Sequence, residues 1–358
     1  MREQATLGLI AVGLGVAASV VLFVPFVAVS YRRRGRFSGQ RALAWSAALA
    51  YFWAIWTYTL LPLPDPGSLT CAPRNTTPLA FLDDLRGAVA QASGRRDLLL
   101  DPAVLQVGLN VLLFVPLGFF LRALGGRGIF VAGMTGLALS GFVELTQLTG
   151  VWGLYPCAYR VFDVDDVLLN TSGALIGSIA AFVVPRRHRG AGDTRAGALP
   201  VPVTRPRRLL AMVCDWLGFV LAGAAATVAA RGVLLYVLDD RDAALDGPVP
   251  GLLGVAVPLA VWLVLTLATG RTVGDLAVRI RYAGGPLPPA AARVLRFLGG
   301  IGGYGLLSWW QTPWATPSWA FAVLAVVAAL ATRHGRGLPG LLSGQDVTDA
   351  LTTHPPRT

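Results

Sequence analysis

The sequence predicts an all-α fold, a polytopic helical membrane protein with about nine transmembrane helices, its N-terminus outside and its C-terminus inside. Three observations carry this reading. Of 358 residues, 54% are hydrophobic and only 14% are charged, against about 25% charged in a soluble domain. Apolar stretches near the roughly 20 residues needed to cross the hydrocarbon layer recur along the chain. Basic residues gather between those stretches, on alternate sides. The same composition excludes disorder and a small disulfide scaffold, because apolar content is high and there are 3 Cys.

The predicted spans are 7–30, 42–61, 103–121, 129–148, 167–184, 208–231, 251–269, 294–310 and 318–332, the last two short and interrupted by Gly or Pro. The first is not a cleavable signal: its apolar run is too long, it lacks a basic region of any size before it, and no small-residue cleavage site follows. Arg32, Arg33, Arg34 and Arg36 stand at its C-terminal end. The positive-inside rule keeps that cluster in the cytoplasm and puts the N-terminus outside.

The later loops alternate accordingly. Loop 62–102, with Asp65, Asp83, Asp84, Asp97 and Asp101, is external, and the turn with Arg122 and Arg127 is internal. Loop 149–166 is external. The stretch 185–208 holds Arg186, Arg187, Arg189, Arg195, Arg205, Arg207 and Arg208 and is internal. The acidic loop 232–250 is external, and 270–293, with Arg271, Arg279, Arg281 and Arg293, is internal. Trp309, Trp310, Trp314 and Trp319 fall at the next external turn, where indoles prefer the headgroup level. The C-terminus follows Arg333 and Arg336 and is internal.

The net charge is +11, and every cation is Arg. An excess of Arg, Ala, Gly and Val fits a GC-rich genome. The basic residues flank apolar runs instead of gathering on a soluble face, so no nucleic-acid partner is expected. The Arg-, Gly- and Pro-rich stretch 185–206 reads as a cytoplasmic linker between transmembrane domains at 1–184 and 207–345, with a tail at 346–358.

A few polar residues stand within or beside spans, where they are costly and usually functional. Asn110 lies near the outer end of the third span, and Glu144 and Gln147 near that of the fourth. Arg160, Asp163, Asp165 and Asp166 precede the fifth, and Asn170 lies in its first turns. All fall on the outer side. Glu144 and Gln147 share a face at i and i+3. Asp163, Asp166 and Asn170, at i, i+3 and i+7, share another if the helix begins near Asp163, while Asp165 points elsewhere. The Asp residues could equally cap the helix start. A carboxylate at Glu144 needs a partner, and Arg160 is the candidate. Such a pocket could hold a phosphate or sugar headgroup, with Arg reading phosphate and the carboxylates acting as acid or base or holding a divalent metal. The alternative is a hydrogen-bond network that clips three spans together. No His or Cys has metal-ligand spacing.

Asn110-Val-Leu-Leu-Phe114-Val-Pro116-Leu-Gly118, Glu144-Leu-Thr-Gln147 and Arg160-Val-Phe-Asp163-Val-Asp165-Asp166, continuing through Asn170 and Gly173 to Gly177, together resemble the VanZ-like family over residues 1–184. The family takes its name from a protein linked to teicoplanin resistance, and its members are grouped with membrane proteins suspected of acting on phosphate-linked lipid headgroups. The resemblance implies a bacterial plasma-membrane protein whose motif residues are Asn110, Glu144, Gln147, Arg160, Asp163, Asp166 and Asn170. Glu144, Asp166 and Asp163 would be acid/base or metal candidates. Arg160 would hold the phosphate, and Asn110, Gln147 and Asn170 would orient the substrate. The expected partner is a membrane lipid or lipid-linked cell-wall precursor. Enzyme, non-catalytic binder or shield, and transporter all stay open.

The second half resembles an RDD-type membrane domain. Arg208 opens the sixth span and Asp215 lies inside it, two turns on and on the same face. Gly270-Arg-Thr272-Val-Gly274-Asp275 also fits, except that Asp275 stands where Lys is frequent. Gly340, before Leu-Leu-Ser343-Gly344, stands where the second Asp of the motif is expected, so the triad is incomplete. Elsewhere, Gly300-Ile-Gly302-Gly-Tyr-Gly305 matches a dinucleotide pattern but has no strand before it. His188, His334 and His354 lie in cytoplasmic segments without a catalytic setting. Cys71 and Cys157 both fall in external loops, where a disulfide is permitted, and Cys214 reads as packing.

Overall fold

The computed structural model describes residues 2–65, 67, 69–186, 189–190, 197–309 and 317–352. Arg187, His188, Arg195, Trp310, Trp314 and His354 lie outside them. The chain divides into two compact units, Met1–Val20 with Ser38–Gly192 and Val21–Phe37 with Asp193–Thr358.

The main helices in chain order are α1 (Arg2–Val21), α2 (Phe23–Arg34), α3 (Gly39–Leu60), α4 (Phe81–Gln91), α5 (Arg95–Leu100), α6 (Pro102–Ala123), α7 (Ile129–Leu148) and α8 (Val164–Ala180). There follow α9 (Arg205–Tyr236), α10 (Val249–Thr269), α11 (Val273–Ala277), α12 (Pro289–Leu298), α13 (Ile301–Ser308), α14 (Pro317–Ala331) and α15 (Gly337–Ser343). Among the described residues the strands are two short pairs. β1 (Arg74–Asn75) runs parallel to β2 (Phe162–Asp163), and β3 (Ile280–Ala283) runs antiparallel to β4 (Asp346–Asp349).

Five described helices are long and apolar enough to cross a membrane: Pro102–Ala123, Ile129–Leu148, Val164–Val183, Arg205–Tyr236 and Val249–Thr269. The number is six if Thr6–Val21 and Phe23–Arg34 form one broken span. The expected second span is a 22-residue helix, α3, rich in Trp and Tyr. The eighth is divided at Gly299 and Gly300 into α12 and α13, and the ninth is the 15-residue α14.

Helix starts follow their capping residues. Asp101 accepts from the Ala103 N–H at 2.9 Å with Pro102 opening α6, and Thr204 accepts from the Arg207 N–H at the start of α9. In lipid, helices associate through close packing and hydrogen bonds, because burial against a neighbour removes no more water than lipid does. In unit 1, α6 and α8 meet backbone to backbone. A Cβ built on Gly177 would lie 1.8 Å from the Val115 carbonyl oxygen, and one on Gly118 1.8 Å from that of Ala174. Gly118 and Gly177 therefore act as contact surfaces between helices.

In unit 2, α2 packs with α9 and α11 around Val27, Tyr31, Ala211, Cys214, Val278, Ile280 and Val347. Cys214 is fully buried there. Phe219, Trp262, Phe297 and Ile301 form a second cluster between α9, α10, α12 and α13.

Candidate functional site

In unit 1 the site is built on the first turn of α8. Asp163 is extended (φ −134, ψ 119) and caps that helix, its side chain accepting from the Asp165 N–H at 2.8 Å. This start puts Asp163 and Asp166 toward the same cleft, and Asp165 also reaches it. Asp165 is almost wholly buried and accepts from two backbone amides, Leu79 at 2.6 Å and Phe81 at 3.0 Å. Leu79 is left-handed (φ 65), so this carboxylate holds the turn that leads into α4.

Pairing of β1 with β2 carries Asn75 to Asp163, where its Nδ2 donates to both carboxylate oxygens at 3.2 Å. The pairing is reinforced by the Ala72 N–H donating to the Ala158 carbonyl at 2.8 Å. Beside it, Cys71 and Cys157 are joined in a disulfide with Cα atoms 5.6 Å apart. From α6, Asn110 Nδ2 donates to the Asp166 carboxylate.

Glu144 is buried on α7, 4% exposed, and accepts from the backbone N–H of Asp163 at 3.1 Å. Asn170 is also buried. Its Nδ2 donates to Ser140 Oγ at 2.9 Å, and its Oδ1 has no partner.

The expected pairing of Glu144 with Arg160 is not what the fold makes. Arg160 Nη2 donates to the Leu61 carbonyl at 2.8 Å and Nη1 to that of Tyr58 at 3.4 Å. Gln147 Nε2 donates to the Thr59 carbonyl at 2.7 Å, and the Tyr159 hydroxyl to that of Leu60 at 3.2 Å. The last carbonyls of a helix have no partner within it. Here those of residues 58, 59, 60 and 61, at the end of α3, are each taken by a side chain from 147–160. Burial raises the Tyr159 phenol above its usual range, outweighing the Arg160 charge, so its hydroxyl stays protonated as a donor.

Asp163, Asp165 and Asp166 line a cleft of about 30 Å³ with Asn75, Asp84 and Gln106. That volume admits about one or two waters or a single small group. Its polar lining is acidic and amide, so it suits a hydroxyl or ammonium donor, and Arg160 does not line it. Among the described residues, no group of three or more His, Cys, Asp or Glu is arranged to hold a metal ion.

Sequence reasoning missed Asn75, Asp84 and Gln106. They come from the 62–102 loop and the start of α6, and the shared compartment of Cys71 and Cys157 was the signal that could have led to the first of them.

In unit 2, Arg208 pairs with Asp275 across 2.9 Å, with both side chains buried. Asp215 does not pair with Arg208. It accepts from Trp262 Nε1 at 2.9 Å, Thr272 Oγ1 at 2.6 Å and the Gly274 N–H at 2.7 Å. A Cβ on Gly340 would meet the Arg336 Cβ at 2.8 Å and the Gln345 carbonyl oxygen at 2.9 Å, which leaves no space for Asp at that position.

The neighbouring Arg207 read in the sequence only as one of the basic residues of an internal stretch. It is buried, pairs with Asp349 at 2.7 Å, and donates to the carbonyls of Val201, Val278 and Arg279. Burial pushes the Asp349 carboxyl up, but the Leu351 N–H, Arg207 and the Val201 N–H together hold it below its ordinary range.

The apolar helices and the polar cluster at one end of α6, α7 and α8 define the class, a helical membrane protein. Its N-terminal part is VanZ-like: residues 48–185 match the sequence model of the VanZ/LLP1 family. No curated protein and no solved structure matches the chain.

Proposed function

We propose that the VanZ-like unit binds, and acts on, the polar headgroup of a membrane lipid or lipid-linked cell-wall precursor at the outer leaflet of a bacterial plasma membrane. One observation carries the reading. Asp163, Asp166 and Glu144 converge from two helices and are held by Asn75, Asn110 and the Asp163 backbone. A mere clip between spans has no use for so many carboxylates in one place. Asp166 and Glu144 serve as acid and base, Asp163 orders them, and Asn110 orients the substrate. Arg160, committed to carbonyls, supports the scaffold, so the acidic cleft reads a hydroxyl or amine of the headgroup instead of its phosphate.

The topology that goes with this has about nine spans, N-out and C-in. The Cys71–Cys157 bond supports one part of it, the placing of loops 62–102 and 149–166 together on the outside, since disulfides persist on the oxidising side of a membrane. The second unit is RDD-like in this reading. Shielding a headgroup against a glycopeptide of the teicoplanin type would use the same site without turnover, and a transporter would need the polar groups to continue toward the inner leaflet.

The test uses the purified full chain in liposomes with radiolabelled phospholipid or lipid-linked precursor. Wild type is compared with Glu144→Gln and Asp166→Asn. Headgroup release or exchange lost in both variants supports the enzyme. Binding without turnover in wild type leaves the shield, and variants that change nothing leave the structural clip.

A further inference from the structure

A second cavity lies wholly within unit 2 and is unrelated to the acidic cleft. Its volume is about 430 Å³, inside the roughly 300–1,000 Å³ range of small-molecule sites. Its walls are mostly apolar side chains of α9, α13 and α14, among them Met212, Trp216, Ile301, Trp319 and Ala325. Besides Thr272 and Tyr304, whose hydroxyls are engaged by Asp215 and Trp216, its polar part is Arg208, Asp215, Asp275, Thr266, Tyr282 and Arg296.

That cluster is short of acceptors. Arg208 is 5% exposed, Arg296 6% and Thr266 1%, yet Arg208 Nε, Arg296 Nε and Thr266 Oγ1 have no hydrogen-bond partner. Buried polar groups are nearly always satisfied, and a buried donor left unmade costs about 1–3 kcal/mol. All three atoms can donate. The carboxylates nearby are already engaged: Asp275 takes Arg208 Nη1, and Asp215 takes three donors. Arg296 spends one nitrogen on the Gly270 carbonyl and has no carboxylate within ion-pair distance among the described residues. Its guanidinium and that of Arg208 lie 5.0 and 5.4 Å from the Tyr282 ring centroid. Unsatisfied cationic donors at one end and apolar walls over the rest describe a receptor for one kind of molecule.

We propose that this cavity binds an amphiphile whose anionic group meets Arg296 and Arg208 and whose apolar chain lies along α13 and α14. A carboxylate or a phosphate supplies the missing acceptors. A free fatty acid and an acidic phospholipid share that chemistry.

The experiment uses the full chain in phosphatidylcholine nanodiscs and reads tryptophan quenching, since Trp216 and Trp319 line the walls. The probes are dibromostearate and the uncharged dibromostearyl alcohol. Saturable quenching by the acid is expected, with a preference of about tenfold or more over the alcohol, the value of one charge-assisted contact. Arg296→Gln should lose that preference. Ala325→Phe leaves the charges alone and fills the chain path, so it should lose both probes. Brominated phosphatidylglycerol, set against brominated phosphatidylcholine, then assigns the source: quenching by the free acid identifies a fatty-acid site, and quenching by the phosphatidylglycerol alone identifies a phospholipid site. The proposal is overturned if wild type binds acid and alcohol equally, if neither the acid nor the phosphatidylglycerol quenches saturably, or if a folded Arg296→Gln keeps the preference for the anionic probe. The first two of these need no variant.

Discussion

Removing the disulfide should loosen the end of unit 1 where β1 pairs with β2. Cys71 and Cys157 are 86 residues apart in sequence. Closing a loop of that length in an unfolded chain removes entropy worth roughly 4–5 kcal/mol at 25 °C. The apolar helices α6 and α7 lie inside the loop and stay helical in a membrane, so this figure is an upper bound and about half of it is the working expectation. The bond also braces β1 against β2 and, through them, the Asn75–Asp163 contact. Cys71→Ser with Cys157→Ser should therefore lower the midpoint of thermal unfolding by several degrees and weaken headgroup binding, as should mild reductant acting on wild type. A membrane-impermeant maleimide on intact cells gives an independent readout. Cys214, the remaining thiol, is buried, so labelling should be absent before reduction and present after it. Labelling of unreduced protein, or a midpoint unmoved by loss of both cysteines, would refute the reasoning.

Asp165 and Asp166 should separate structure from function. Asp165→Ala removes a buried carboxylate that holds the amides of Leu79 and Phe81 and should cost about 1–3 kcal/mol in denaturant unfolding, whereas Asp166→Asn should leave stability nearly unchanged and impair headgroup chemistry; equal stabilities would contradict the roles assigned. Gly177→Ala places a methyl group on the Val115 carbonyl and should prevent folding or cost upwards of about 3 kcal/mol, while Gly141→Ala meets nothing within 4 Å and should be neutral in the same expression and melting assay. The depressed Asp349 carboxyl stabilises unit 2 fully above its unfolded value of about 3.9, and that contribution is lost as pH falls through its lower folded value. A pH series of melting midpoints should show the loss in wild type and not in Asp349→Asn, and parallel curves would remove the ion pair with Arg207 from the account.

What the sequence disclosed was local. The cap at Asp163 and the approach of Asp163 and Asp166 to one cleft need only a helix and its start, whereas Asn170 turns to Ser140 on α7. The apolar runs of α6 to α10 need only length and composition. What it concealed depends on chain segments meeting across long separations. Arg160 looked like a partner for Glu144 because opposite charges invite pairing, yet backbone carbonyls at the end of α3 offered stronger geometry. Arg207 looked like one more anchoring cation until Asp349, 142 residues away, is seen beside it. Nothing in the periodicity of 21–37 says that it packs with the second unit, because hydropathy reports a preference for lipid or core and is silent about which neighbour supplies it.

The grip on α3 has a consequence for how this protein can change. Gln147, Tyr159 and Arg160 hold carbonyl oxygens at positions 58–61, and a carbonyl is offered by whatever residue stands there. One side of the joint is therefore tied to particular side chains, while the other is indifferent to its own. Substitutions at 58–61 can accumulate without any answering change at 147, 159 or 160. A search for correlated changes would pass over this contact entirely, although it fixes the end of a helix.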